Sequence, residues 1–326
     1  MRAFILSGSA DIGGLSIGYK RAADKHPDIG LSIRSAVQSL NYIKYPYDVL
    51  MPGNGGAVQR LYDAADVIHV NQYHHTWRKL DRGQHKPVLM QHHGSLYRNA
   101  PEMHVAIVNR YGFELAVSTI DLLQPLPERT HWLPAAYDLD MLRSIRTKHR
   151  RQPDGVVRIA HSPTDRAIKS TDALVTAVTA LQEKGVAVEL DLIEHVSWAE
   201  CLKRKAAADL FFDQVKLGYG CNSIESWGMG IPVIAGAQPW TLNRMKEEFG
   251  VLPFYRATEK TIEEAISAMV ESADLREEYA ERGQQHVERF HAEIPVLERL
   301  KELYQLAIDR RKPKARRKSD TAEAAA

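Results

Sequence analysis

Short apolar runs alternate along the chain with segments whose apolar positions recur every three to four residues. The runs fall at Ala3–Leu6, Leu31–Ile33, Asp66–Val70, Pro87–Gln91 and Glu114–Ser118 in the first half. In the second half they fall at Val156–Ala160, Ala187–Ile193, Asp209–Asp213, Pro232–Ala235 and Leu252–Tyr255. Strands that read as continuous apolar runs, separated by helical periodicity, are those of parallel sheets covered on both faces. Thr171–Lys184 sets Leu174, Val175, Val178 and Leu181 on one helix face, opens on a candidate cap at Thr171 and stops at Gly185. Val296–Ile308 carries Val296, Leu297, Leu300, Leu303, Tyr304 and Ala307 at helical spacing and is expected to pack on a core.

The pattern therefore predicts an α/β chain of two Rossmann-like, doubly wound parallel-sheet domains. The first is expected over 1–146 and the second over 156–290, joined by a linker at 147–155 where charge, Pro153 and Gly155 cluster. A C-terminal helix follows over 291–308 and a tail over 309–326. No repeat recurs at a fixed period.

Composition adds limits. With 326 residues, 44% of them hydrophobic and 26% charged, the chain is long enough for two such units, and no apolar run approaches the roughly 20 residues that span a bilayer. The opening MRAFILSGSADIGG runs from an apolar stretch straight into glycines and reads as a first strand, not a leader. Cys201 and Cys221 are the two cysteines, which indicates neither a disulfide framework nor a cysteine zinc site; a cytoplasmic setting is expected. The net charge of +2 is uneven. The tail holds Arg310, Arg311, Lys312, Lys314, Arg316, Arg317 and Lys318 against Asp309, Asp320 and Glu323. It is expected to be disordered and solubilising, with contact to nucleic acid or an anionic surface as the alternative.

In doubly wound sheets, ligands bind beyond the carboxyl ends of the strands, where loops and helix N-termini offer N–H groups. Three loops fit. The first, Gly8 to Gly14, follows the first strand; its glycines match neither G-x-G-x-x-G nor a P-loop, which weakens dinucleotide and NTPase readings, but Gly13-Gly14 permits close backbone approach. The second, His161 to Thr171, places Arg166 and Lys169 beside a helix N-terminus, where two cations can neutralise a diphosphate as it leaves. The third, Gly218-Tyr219-Gly220-Cys221-Asn222 leading to Glu225, sets a carboxylate one turn into a helix under a Gly-rich entry, able to accept both hydroxyls of a ribose.

The segment from Ile224 to Ile234, IESWGMGIPVI, preceded by HSPTDRAIKST, GVAVELDLI and ADLFFDQ, resembles the retaining family 4 glycosyltransferases of the GT-B fold, the group 1 glycosyl transferases. The N-terminal half resembles them more loosely, through Gly13-Gly14, Ala65–His69, Lys86-Pro87-Val88 leading to His93-Gly94, Val117–Thr119 and Leu133-Pro134. The chain is also similar to glycosyltransferases encoded in phage genomes of actinobacteria, which would place it in the host cytoplasm. The resemblance implies two domains facing a central cleft. It implies metal-independent transfer of a sugar from a nucleotide donor, a UDP- or GDP-sugar, with retention and without a cofactor. By position, Glu225 would bind the ribose, Lys169 the diphosphate with Arg166 assisting, and His93 the donor sugar. One departure stands out: Leu217 occupies the place of the first Glu of Glu-x7-Glu. Asp213, or backbone N–H groups over Gly218–Cys221, are expected to replace it.

No metal is expected. Asp138-Leu-Asp140 precedes a helix and reads as a cap, and His69, His74 and His75 have no carboxylate pair at ligand spacing. The acceptor is the least legible part. Asn71–Gly83, with Tyr73, His74, His75, Trp77, Arg78, Lys79 and Arg82, mixes aromatic and basic residues suited to stacking on bases and contacting phosphates. Together with Arg310–Lys318 it points to modified bases of phage DNA as an acceptor. Two alternatives stay open: a catalytically silent nucleotide-sugar or nucleic-acid binding protein with this fold, and a sugar-nucleotide epimerase.

Overall fold

The structure, a computed structural model, describes residues 1–8, 12–39, 47–72 and 74–311. The first sheet is wholly parallel: β1 (Arg2–Ser7), β2 (Ser32–Val37), β3 (Val49–Leu50), β4 (Val67–Asn71), β5 (Val88–His92), β6 (Glu114–Val117) and β7 (Thr130–Trp132), in the order β3-β2-β1-β4-β5-β6-β7. Chain order reverses at β1, so the carboxyl ends of β1 and β4 open a crevice at the switch point. The second sheet comprises β8 (Val157–His161), β9 (Val188–Leu192), β10 (Leu210–Phe212), β11 (Leu217–Gly218), β12 (Val233–Ala237) and β13 (Tyr255–Arg256). Its order is β11-β12-β10-β8-β9, with β13 on β12; β11 alone runs antiparallel.

The apolar runs become strands because both faces are buried. Ile5, Val67 and Leu89 enter one core and Phe4, Leu6, Ile68 and Met90 the opposite one. The first of these cores continues without a break to Phe211, Val233 and Ala235 of the second sheet. The helix Thr171–Glu183 buries Leu174, Ala177, Val178 and Leu181, while Val175, expected on that face, is exposed. Thr171 does not cap the helix: its hydroxyl donates to His161 Nε2 at 2.8 Å, the ring's Nδ1–H being held by the Phe212 carbonyl.

Two helices cross between the sheets. Leu139–His149 runs through the start of the expected linker and packs on the helices of the second sheet, with Arg146 donating to the carbonyls of Ala206 and Ala208. Asp138 caps it, accepting from Met141 N at 3.0 Å. The helix Glu293–Arg311 returns to the first sheet and packs on β4, β5 and β6, burying all six of its expected apolar residues. It extends three residues past the expected boundary, so Arg310 and Arg311 are helical; residues 312–326 lie outside the described residues. The two crossings are laced together: Tyr137 N donates to His291 O at 2.8 Å, and the His291 ring meets Ala135 O at 3.0 Å and Tyr219 OH at 3.1 Å. Among the described residues no helix is long and apolar enough to cross a membrane.

Candidate functional site

The loop after β8 is built as a turn by Asp165, which accepts from Ile168 N at 3.0 Å through its side chain and from Lys169 N at 3.0 Å through its carbonyl. This turn directs Lys169 inward, where its ammonium pairs with Asp213 at the end of β10. Asp213 is fully buried and also accepts from Gly220 N at 2.8 Å and Ser223 Oγ at 2.7 Å. Burial by itself would raise its pKa, but Lys169 and these donors outweigh it and hold the carboxyl below its ordinary value. Lys169, Asp213 and the entry to the helix Cys221–Gly228 thus form one unit. That helix has no side-chain cap, which leaves its first N–H groups for a ligand.

From the other sheet, Gly13 and Gly14 both adopt left-handed backbone, with φ 65° and 68°. A Cβ on Gly13 would lie 3.0 Å from Cys221 Sγ, so the loop after β1 abuts the helix that carries Glu225. The first and third expected loops therefore meet across the two sheets. Beside them a cavity of about 150 Å³ is lined by Gly13, Gly14, Tyr137, Met141 and Trp198.

Several expected residues take other roles. Glu225 is almost fully buried, accepts the Trp198 indole N–H at 2.8 Å on Oε1 and pairs with Lys205 Nζ at 2.5 Å on Oε2. Lys205 is itself fully buried and donates also to Asn222 Oδ1 at 2.5 Å; burial opposes its charge, but Glu225 raises its pKa on balance. Asn222 accepts from Lys205 and from Ser162 Oγ on its Oδ1 and donates one of its two amide hydrogens to Ser162 O, so it ties the second and third loops together. Tyr219 turns into an aromatic core, its hydroxyl on His286 at 2.9 Å and its ring 5.0 Å from that of Trp227. Only its backbone faces the entry. Gly218 sits in β11 at φ 90°, where a Cβ would run into Met245, and the Gly220 N–H is consumed by Asp213. Gly218–Gly220 is therefore a packed strand and turn whose Gly220 N–H is engaged, the Cys221 N–H opens the uncapped helix, and Asp213 holds the Lys169 ammonium. Leu217, the substituted position, pairs with Ala237 in β11.

Arg166 is half-exposed and forms a bidentate pair with Glu194, at 2.9 and 2.5 Å. His93, at the end of β5, is buried in a polar chain of the first sheet: its Nε2 meets Asn71 Oδ1, and Asn71 Nδ2 reaches Ser16 at 2.7 Å and Ser7 at 3.3 Å. Burial lowers its pKa to about 3, so the imidazole is neutral, and its Nδ1 is a buried atom without a hydrogen-bond partner. No contact among the described residues joins His93 to Lys169.

Sequence reasoning missed Lys205, Trp198, Glu194, Ser223 and Asn71. Lys205 had a signal, since it stands on the apolar stripe of Leu202 and Ala206. In the expected acceptor segment, Tyr73 lies outside the described residues. Trp77 is buried against Tyr111 and Phe113, with ring centroids at 5.0 and 4.9 Å, so it is a core residue and not a stacking platform.

No family model matches the sequence, and no match is found among curated proteins. Solved structures do match. A glycosyltransferase from Rickettsia africae is 12% identical over 94% of this chain and 99% of its own, with a TM-score of 0.64. HepE from Anabaena, solved with UDP-glucose, is 14% identical over 94% and 100%, with a TM-score of 0.66. An α-glucosyltransferase solved with UDP-glucose and DNA containing an abasic site is 11% identical over 94% and 99%, with a TM-score of 0.64. At such identities the likeness is one of fold, and the chain has the GT-B fold of these glycosyltransferases.

Proposed function

We propose that the chain is a retaining, metal-independent glycosyltransferase that moves a sugar from a nucleotide diphosphate to an acceptor hydroxyl. The observation that carries this reading is the inward-held Lys169, set by Asp213 beside the uncapped helix Cys221–Gly228 and facing the Gly13-Gly14 turn. A diphosphate placed there meets an ammonium, helix N–H groups and a backbone turn, all of which stabilise the negative charge that grows as it leaves. Glu225 keeps lone pairs beyond those used by Trp198 and Lys205, and these accept the ribose hydroxyls. Neutral His93 offers the free lone pair of Nδ1 to a sugar hydroxyl. Retention follows from the resemblance of the second half to family 4 enzymes: the acceptor attacks on the face the diphosphate vacates, and the departing phosphate oxygen takes the acceptor proton. Arg166, paired with Glu194 at the rim, acts on the diphosphate only by releasing that partner.

Two domains, one on each sheet and joined by the crossing helices Leu139–His149 and Glu293–Arg311, are part of this proposal, as is a cytoplasmic setting. The acceptor proposed is a hydroxyl on nucleic acid. This is supported by the fold-mate bound to DNA and by the basic residues of Asn71–Gly83 and Arg310–Lys318. A silent binding protein is the second reading, favoured by one observation: Lys169 and Glu225 are both already satisfied by protein partners. Release of nucleoside diphosphate from UDP- and GDP-sugars decides between them. Slow release by the wild type, abolished in Lys169→Ala and reduced in Glu225→Gln, is expected; release that persists in both variants refutes the site. Proton NMR of the anomeric centre of the product tests retention.

A further inference from the structure

The segment Asn71–Gly83 divides between opposite ends of the first sheet. Asn71 and Gln72 end β4 at the crevice, whereas the helix Thr76–Asp81 carries Arg78 back to the amino ends of the strands, beside Lys86 and Val88 at the start of β5 and Phe113 just before β6. The five-residue strands put this end about 15 Å from the crevice. A cavity of about 180 Å³ opens here, lined by Trp77, Arg78, His85, Lys86, Tyr111 and Arg311.

Its chemistry is one of surplus donors and positive charge. Arg78 lies 4.8 Å from the Tyr111 ring centroid, Arg110 5.6 Å from the same ring, and Arg311 6.0 Å from that of Phe113. Trp77, only 6% exposed, has its indole N–H buried without an acceptor, and so has the Nε of Arg311. The carboxylate among the lining residues, Asp81, is already engaged by Tyr62 OH at 2.8 Å and by the amides of His85 at 3.1 Å and Lys86 at 3.2 Å. The guanidinium groups therefore stand over aromatic faces with little local carboxylate to neutralise them. The chain also leaves the described structure from Arg311 with Lys312, Lys314, Arg316, Arg317 and Lys318 next in sequence, so the same end feeds the most basic stretch of the protein.

We infer that this end of the first sheet docks the phosphodiester backbone of a nucleic acid, with an acceptor edge or phosphate received by the Trp77 indole and Arg311. Guanidinium groups stacked on aromatic rings, followed by consecutive cations, suit a repeating polyanion. An anionic membrane fits less well, because none of the large apolar side chains exposed among the described residues lines the cavity to insert into lipid. The position makes this surface a tether. It holds a polymeric substrate at the far end of the sheet and leaves the crevice to the donor and the reacting hydroxyl. The inference deepens the nucleic-acid reading above, but it stands on different residues from the donor site.

Fluorescence anisotropy of the full chain with a labelled duplex oligonucleotide across a salt series tests it, with phosphatidylserine vesicles as the competing probe. Each phosphate contact contributes about 0.9 to the slope of log affinity on log salt, so Arg78→Gln/Arg311→Gln should lower the slope by about 1.8 and weaken binding roughly tenfold or more at low salt. The same variant should retain wild-type donor hydrolysis, and Lys169→Ala should lose hydrolysis while keeping oligonucleotide affinity. An unchanged slope and affinity in the double variant would overturn the inference, as would wild-type protein that binds the vesicles but not the oligonucleotide. Loss of hydrolysis in Lys169→Ala persists as evidence for the donor site whichever way the oligonucleotide result falls.

Discussion

Replacing Lys205 by Met tests how Glu225, the ribose acceptor of the proposed site, is held. In the wild type the Lys205 and Glu225 side chains are 0% and 5% exposed and lie 2.5 Å apart, so neither charge has water to fall back on. Removing one member of such a pair costs about 3–5 kcal/mol, because the remaining charge is left uncompensated. The lost bond to Asn222 adds about 1 kcal/mol. A second variant, Lys205→Met/Glu225→Leu, removes both charges and should recover at least about 2 kcal/mol of the single-variant loss. Urea unfolding followed by circular dichroism measures both losses. A Lys205→Met cost under about 1 kcal/mol, or a double variant whose loss is the sum of the singles, would refute the reasoning. The double variant also separates folding from function: it regains stability yet lacks the Glu225 oxygens, so its affinity for nucleoside diphosphate should remain low.

Three further outcomes are expected. Asp213→Asn puts an amide where Lys169, Gly220 N and Ser223 all donate, and should destabilise by about 2–4 kcal/mol, read as a fall in thermal midpoint; a cost within about 0.5 kcal/mol would deny that Asp213 is ionised. Gly13→Ala forces a side chain into left-handed backbone and towards Cys221, costing about 1–2 kcal/mol of stability, and should weaken donor binding disproportionately; calorimetry showing unchanged donor affinity would remove this turn from the site. Burial lowers His69 and His93 to a pKa of about 3 and His161 and His291 to about 4. Below pH 6.5 the unfolded chain takes up protons that the folded one refuses. Each of these histidines should then remove up to about 1.4 kcal/mol of stability per pH unit, so the thermal midpoint should fall steeply from pH 6.5 to 5 and would contradict these pKa directions if it stayed flat.

The parts of the fold that could be read from the chain are those settled locally. Strand runs such as Phe4–Leu6 and Val88–Met90 are apolar on both faces because helices cover both, and that double burial is written in consecutive residues. The returning helix was legible as a helix from its spacing, but its destination was not. Nothing in Val296–Ala307 distinguishes the first sheet from the second, and the choice rests on partners such as His69, whose Nδ1 meets Tyr304 OH at 3.0 Å across 235 positions of sequence. Trp77 shows the same limit in reverse. Set among basic residues it reads as an exposed platform, and it is buried because Tyr111, at the end of a later helix, and Phe113, just before β6, close on it.

At the site, spacing brought the backbone together, but the protein partners of the side chains were not legible in it. Gly13, Lys169 and the helix bearing Glu225 do converge, since a loop at the carboxyl end of a parallel strand has little choice of where to emerge. Charge compensation is a different matter. Whether a carboxylate meets a ligand or a protein cation depends on which helix packs beside it, and so Asp213 took Lys169 and Glu225 took Lys205. A Glu225 neutralised by a buried ammonium presents hydrogen-bond acceptors without net charge, which lowers the electrostatic cost of bringing a diphosphate close to it. Leu217, paired with Ala237 in β11, likewise contributes no negative charge next to the helix Cys221–Gly228. The two departures from the expected pattern therefore act in one direction. On the proposed reading they leave Lys169 and the helix N-terminus to dominate the field at a bound diphosphate.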